Sequence, residues 1–272
     1  MRPGRPGPPG DPAGPAMIDP RGLTGVREDS TVPPVQVGPA GRRVELAARR
    51  WIELDGVAEV TLLVPVGSLE QHGPHLPLST DADVATEVAR RAAARLGAEG
   101  IHALCAPTIG YGASGEHQDF PGTISIGHQA LELLLVELAR SACRWAGTVV
   151  VVNGHGGNSP TVVRAVTRLR AEGRDVRWVA CAVVGGDAHA GHAETSIMLS
   201  LDPLAVGPDW SPGLRTPITE ILPALREHGV RALSPSGVLG DPRSASAATG
   251  RRMLELITQR VVQKVLHGPD QP

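Results

Sequence analysis

At 272 residues with 41% apolar side chains, the chain can bury the core of one large domain or two small ones. Only 2% of it is aromatic and its formal charge is −2 with acids and bases interspersed, which excludes base stacking and a phosphate-binding basic patch and leaves neither nucleic acid nor a membrane as an expected partner. No stretch approaches the roughly 18 apolar residues of a membrane span and no apolar signal core opens the chain, so a cytoplasmic protein is expected.

The opening segment, "MRPGRPGPPGDPAGPAMIDP" and its continuation to about residue 40, is dominated by Pro and Gly. It cannot bury enough apolar surface to offset its ordering entropy, and residues 1–40 are expected to be disordered. Residues 41–268 then form a single domain. Within it, apolar β-branched runs predict strands at 60–66, 101–106, 148–152 and 176–184. Helical periodicity predicts helices between them. Segment 83–96 carries Val84, Val88 and Leu96 on one face, and 129–145 carries Leu131, Leu134, Leu135 and Leu138. The last helix, 245–266, carries Leu254, Ile257, Val261 and Val265. This alternation is that of parallel βαβ units, an α/β fold. Cys105, Cys143 and Cys181 stand far apart in apolar surroundings and are expected to be small buried hydrophobes.

Four polar, glycine-rich segments follow the strands: "GSLEQHGPHLPLSTD", "GYGASGEHQDFPGTIS", "NGHGGN" and "GGDAHAGHAETS". In an open parallel sheet such loops converge at the carboxyl ends of the strands. Glu70 and His72 alternate, so in extended chain both face one way. Asp81 lies just before a helix expected to begin near Ala82. It could cap that helix, or Ser79 or Thr80 could do so and leave its carboxylate free to bridge two ions. His155, bracketed by glycines at the end of a fully apolar strand, needs a partner to offset its desolvation, and a ligand role is favoured over a plain turn. His189, His192 and Glu194 precede a helical run, where Glu194 could also serve the helix dipole and one histidine could simply be exposed. The second loop adds Glu116 and His117, the latter a candidate catalytic residue. Its GxGxxG match, 110–115, is rejected as a dinucleotide site because no helix begins there. Carboxylates and imidazoles without thiolates suit an open catalytic site for Zn, Mn or Fe, and so metal-assisted hydrolysis.

At "GSLEQHGPH", Asp81, "NGHGGN" and "HAGHAETS" the sequence resembles the creatininase (creatinine amidohydrolase) family, from about residue 60 to 265. The resemblance implies a three-layer sandwich with a mainly parallel sheet flanked by helices, two divalent metal ions (Zn, Fe or Mn), and a homo-oligomer. It implies that Glu70, Asp81 and His155 hold one ion, that His72 and shared Asp81 hold the other, and that His189 shuttles a proton to the leaving amine. Creatininase itself has a carboxylate two residues after the NGH histidine, where this chain has Gly157; Glu194 is the expected replacement. "YGASGEHQDFPGTISIG" and "SGVLGDPRSASAATGRR" are similar to the mycofactocin-system branch of the family. That likeness implies a peptidase that takes a modified precursor peptide and releases its C-terminal Val-Tyr-derived dipeptide. The alternatives are an amidohydrolase acting on a small cyclic amide or formamide, and a metal-containing binding protein without catalysis.

Overall fold

A computed structural model describes residues 44–183 and 185–268; the expected tail, 1–40, lies outside the described residues. In chain order the main elements are β1 (Val60–Val66), α1 (Thr80–Ala98), β2 (Ala103–Cys105), α2 (Gly127–Ala142), β3 (Ala146–Asn153), α3 (Ser159–Ala171), β4 (Val176–Ala180), α4 (His192–Leu201), α5 (Ile218–Leu233) and α6 (Ala247–Leu266). The four strands pair in parallel in the order β2, β1, β3, β4. No helix among the described residues is long and apolar enough to cross a membrane.

Side-chain alternation along the strands builds a core on each face of the sheet. Leu62, Val64 and Val66 of β1 and Val149 and Val151 of β3 pack against Leu131 and Leu135 of α2 and Val162 and Val166 of α3. Leu63, Val150 and Val152 point the other way, toward α1, α4 and α6 through Val88, Ile197, Leu254 and Ile257. This is the expected three-layer α/β sandwich. Each fully buried leucine or isoleucine in it contributes roughly 1.5–3 kcal/mol.

Several expectations shift. The second strand spans only Ala103–Cys105, and the fourth ends at Ala180 rather than at 184, itself outside the described residues. The stripe on α2 is Leu131, Leu135, Val136 and Ala139, while Leu134 is exposed because it lies past the margin of the buried face. Cys143 is only half-buried, just beyond the end of α2. The sequence pattern does not predict helix α5, since Pro223 lies inside it and Gly229 breaks it at φ 74°; its Ile221, Leu225 and Val230 pack with Leu239 in a small core of their own.

From β1 the chain crosses to β2 on one side, then returns to β3 on the other. The topological switch point therefore falls between the carboxyl ends of β1 and β3, where a crevice opens in a doubly wound sheet. The loops carrying Glu70 and His155 leave from those two ends.

Candidate metal centre

Two glycines decide where Asp81 sits. A Cβ on Gly67, just past β1, would collide with the main-chain nitrogen of Ala82, and one on Gly154, just past β3, would collide with the carbonyl of Asp81. Bare backbone at both strand ends lets the first turn of α1 wedge into the switch point. The helix begins at Thr80, so Asp81 lies inside its first turn and not before it, a correction to the expected boundary. Ser79 stands at the cap position without a side-chain cap bond, its hydroxyl donating instead to Asp83 Oδ2 at 2.7 Å. The Asp81 carboxylate, 3% exposed, is left free for the crevice.

Glu70 and His72 are both fully buried and reach the crevice from the loop after β1. His155 Nδ1 lies 3.1 Å from Glu70 Oε1 and 3.3 Å from Asp81 Oδ2. The other Asp81 oxygen, Oδ1, lies 3.2 Å from His72 Nε2, and Glu194 Oε2 stands 3.9 Å from that same nitrogen. Asp81 thus stands between two donor groups: Glu70 and His155 with one of its oxygens, His72 and Glu194 with the other. Three sets of ligand atoms, each within 4.8 Å of one another, overlap here: Glu70, Asp81 and His155; His72, His189 and Glu194; Glu70, His117 and His189.

The charges are strongly coupled. Burial alone would lower the His72 imidazole, but the Asp81 carboxylate overrides it and carries the group up to about 10. His155 is likewise raised well above its ordinary value by Glu70, Asp81 and Glu116 against the same burial penalty. Asp81 is held well below the usual carboxylate range, its burial outweighed by His72 and His155. Burial, opposed in part by His72, pushes Glu194 up to about 7. His189 is lowered well below its ordinary value by burial and by the neighbouring His72 and His117. Both Glu70 oxygens and Asp81 Oδ2 are buried without a hydrogen bond of acceptable geometry, a costly state for carboxylates that a cation would relieve. These residues fit a divalent metal site of carboxylate and imidazole donors.

Other polar residues of the same motifs hold the loops together. Asn158 donates to Gly67 O at 2.9 Å and accepts from Ala113 N at 2.8 Å, tying three loops at one amide. The Asp187 carboxylate accepts from His192 N and Ala193 N, capping α4 and fixing the turn that presents His189. Glu194 Oε2 accepts from Ala190 N at 2.6 Å. His192 turns away to Ser244 Oγ at 3.0 Å and takes no part in the centre. Above the centre opens a cleft of about 940 Å³, floored by Asp81, His155, His189 and Glu194 and walled by residues 115–119 and by Ile218, Leu222 and Arg226 of α5.

The sequence profile of the creatininase family, described as creatinine amidohydrolase, matches residues 47–265. The chain belongs to the creatininase family. A mycofactocin precursor peptide peptidase of Mycobacterium tuberculosis is 53% identical over 218 residues, 78% of this chain and 87% of the relative. A 2-amino-5-formylamino-6-ribosylaminopyrimidin-4(3H)-one 5'-monophosphate deformylase of Methanothermobacter marburgensis is 30% identical over 227 residues, 77% and 90% of the two chains. A solved creatininase superposes with a TM-score of 0.69 at 27% identity, over 85% of this chain and 99% of that one. Two further solved creatininases, each 28% identical over 83% of this chain and 99% of theirs, with TM-scores of 0.68 and 0.65, carry the descriptions Zn-Zn type and Mn.

Proposed function

We propose that this creatininase-family chain is a metal-dependent peptidase that cleaves a modified mycofactocin precursor peptide, releasing its C-terminal Val-Tyr-derived dipeptide. The observation that carries the reading is 53% identity to a protein of that name over 87% of its length. The cleft of about 940 Å³ supports it, being large enough to admit a peptide segment.

Glu70, Asp81 and His155 would hold one divalent ion, and His72, Asp81 and Glu194 the other, with zinc, iron or manganese as occupants. Bound there, such ions polarise an amide carbonyl and lower the pKa of an attacking water. His189 Nδ1 faces the centre, 3.8 Å from Glu70 Oε1 and 4.0 Å from Glu194 Oε2. From that position it takes up a proton and passes it to the leaving amine. His117, 4% exposed on the wall of the cleft, is the second catalytic imidazole.

The deciding experiment incubates metal-assayed protein with modified precursor peptide and follows the peptide by mass spectrometry. Loss of the last two residues is the expected result; an intact peptide in the presence of bound metal rejects the reading. The second reading, a formamide hydrolase, is favoured by the deformylase relative and is tested by formate release from formylamino substrates.

A further inference from the structure

Gln71 lies between the two catalytic imidazoles, and the hydrolysis described above makes no use of it. Its side chain is 5% exposed, and the main chain fixes which way its amide points. Oε1 accepts from Gly73 N at 2.9 Å, and Nε2 donates to Gly237 O at 3.2 Å. Flipping the amide would set oxygen against carbonyl and NH₂ against N–H, so both contacts reject the alternative. The backbone is shaped to receive it: Gly237 adopts φ 82°, and a Cβ there would collide with Gln71 Oε1.

With one Nε2 hydrogen given to Gly237, the other meets His117 Nδ1, 2.8 Å away. Only a ring nitrogen without a proton accepts an N–H, so His117 carries its proton on Nε2. That nitrogen stands 3.4 Å from Glu70 Oε1, at the edge of the centre. His189 is set by the main chain of the same residue. Its Nε2 lies 2.8 Å from Gln71 O, which can only accept, so the proton sits on Nε2 and Nδ1 is bare. The 3.0 Å approach of Gln71 Nε2 to His189 Nε2 is then a contact between two donors.

We propose that Gln71 is a positioning residue that sets the tautomers of both histidines, providing one fixed proton donor, His117 Nε2–H, and one bare nitrogen, His189 Nδ1. The two imidazoles therefore divide the work. His189 can accept a proton and His117 can give a hydrogen bond to oxygen charge developing on the substrate. His117 is also barred from ligating a cation through Nε2, because its proton would then have to sit on Nδ1, against the Gln71 amide. Of the three overlapping donor sets, the one containing Glu70, His117 and His189 is thus not a metal site. The effect on turnover rests on the peptidase reading, but the proton positions do not.

The test reads ring-nitrogen NMR signals of the full chain, zinc-loaded and isotopically labelled on its histidines, with signals assigned from single-histidine variants. His117 is expected to be protonated on Nε2 and bare on Nδ1, and His189 protonated on Nε2; a proton on His117 Nδ1 overturns the proposal. In Gln71→Met, which keeps the length and removes the donor, His117 should become a mixture of tautomers. With precursor peptide, kcat of that variant should fall about 10- to 100-fold while KM stays within about threefold. An unchanged His117 spectrum in Gln71→Met overturns it as well. If the wild-type tautomers are as expected and no peptide is cleaved, the peptidase reading fails and the positioning role of Gln71 stands.

Discussion

Glu116 Oε1 stands 3.4 Å from His155 Nε2, in space that any side chain at Gly157 would need. A Cβ at position 157 would collide with both atoms. The imidazole whose Nδ1 faces Glu70 and Asp81 is thus backed on its far side by a carboxylate reaching in from another loop. A carboxylate at the rear of a metal-binding imidazole fixes its ring and raises its basicity. Gly157→Ala should therefore displace His155 or Glu116 and weaken both metal affinity and turnover about 10- to 100-fold, with little change in the circular dichroism spectrum. Wild-type metal affinity in chelator competition would show that the crowding is harmless.

Asp81 lies between the two donor groups, so its loss should be felt by both. Asp81→Ala should bind less than its full complement of metal and lose hydrolysis, and His72→Ala should vacate one position only. Elemental analysis of purified variants measures this. Full metal content with full activity in either variant would remove these residues from the centre.

Stripped of metal, the chain should lose stability as the pH rises. In the folded state His72 holds its proton up to about 10 and His155 holds its own well above the ordinary value, whereas an unfolded imidazole lets go near about 6.5. A raised folded pKa contributes stability that is complete below the unfolded pKa and is lost as pH climbs through the folded one. Glu194, at about 7, has finished titrating early in that climb. Thermal unfolding in the presence of a chelator should accordingly fall from about pH 7.5 to pH 10, and added zinc or manganese should flatten the curve. The same protons compete with metal, so affinity and activity should drop on acidification. A chelated protein whose midpoint is flat or rising over the alkaline interval would refute the buried protonated pair.

His75 Nε2 meets Thr195 Oγ1 at 2.8 Å and is almost wholly buried. This bond clips the loop after β1 to the first turn of α4, behind the centre. Thr195→Val keeps the shape and removes the partner, leaving a ring whose Nδ1 already lacks one. A loss of about 1–3 kcal/mol is expected, read as a melting point several degrees lower in metal-saturated protein. No shift would mean that the pair contributes nothing to holding the two loops together.

The strand ends and their histidines were legible because buried parallel strands are continuous apolar runs, and a polar residue closing such a run stands out. The His155 ring comes within 3.1 Å of Glu70, as convergence at the carboxyl ends of the strands requires. Gln71 and Asn158 stand inside these motifs, but their roles were not legible. An amide has no charge, no periodicity and no metal preference to betray it, and the partners of Gln71 lie 46 and 166 residues away in sequence. Helix α5 was hidden by its own punctuation, since Pro223 and Gly229 read as breaks. The apolar pair Ile221 and Leu225, one helical turn apart, was the signal available.

The cleft over the centre is built from parts with separate origins. Its floor is made of loops anchored to strand ends, and one wall is α5, whose Ile218, Leu222 and Arg226 come from a single excursion between α4 and α6. Evolution can therefore exchange that wall, and with it the choice of amide, without disturbing the residues that break the bond. One scaffold can in this way be inherited by enzymes with unlike substrates.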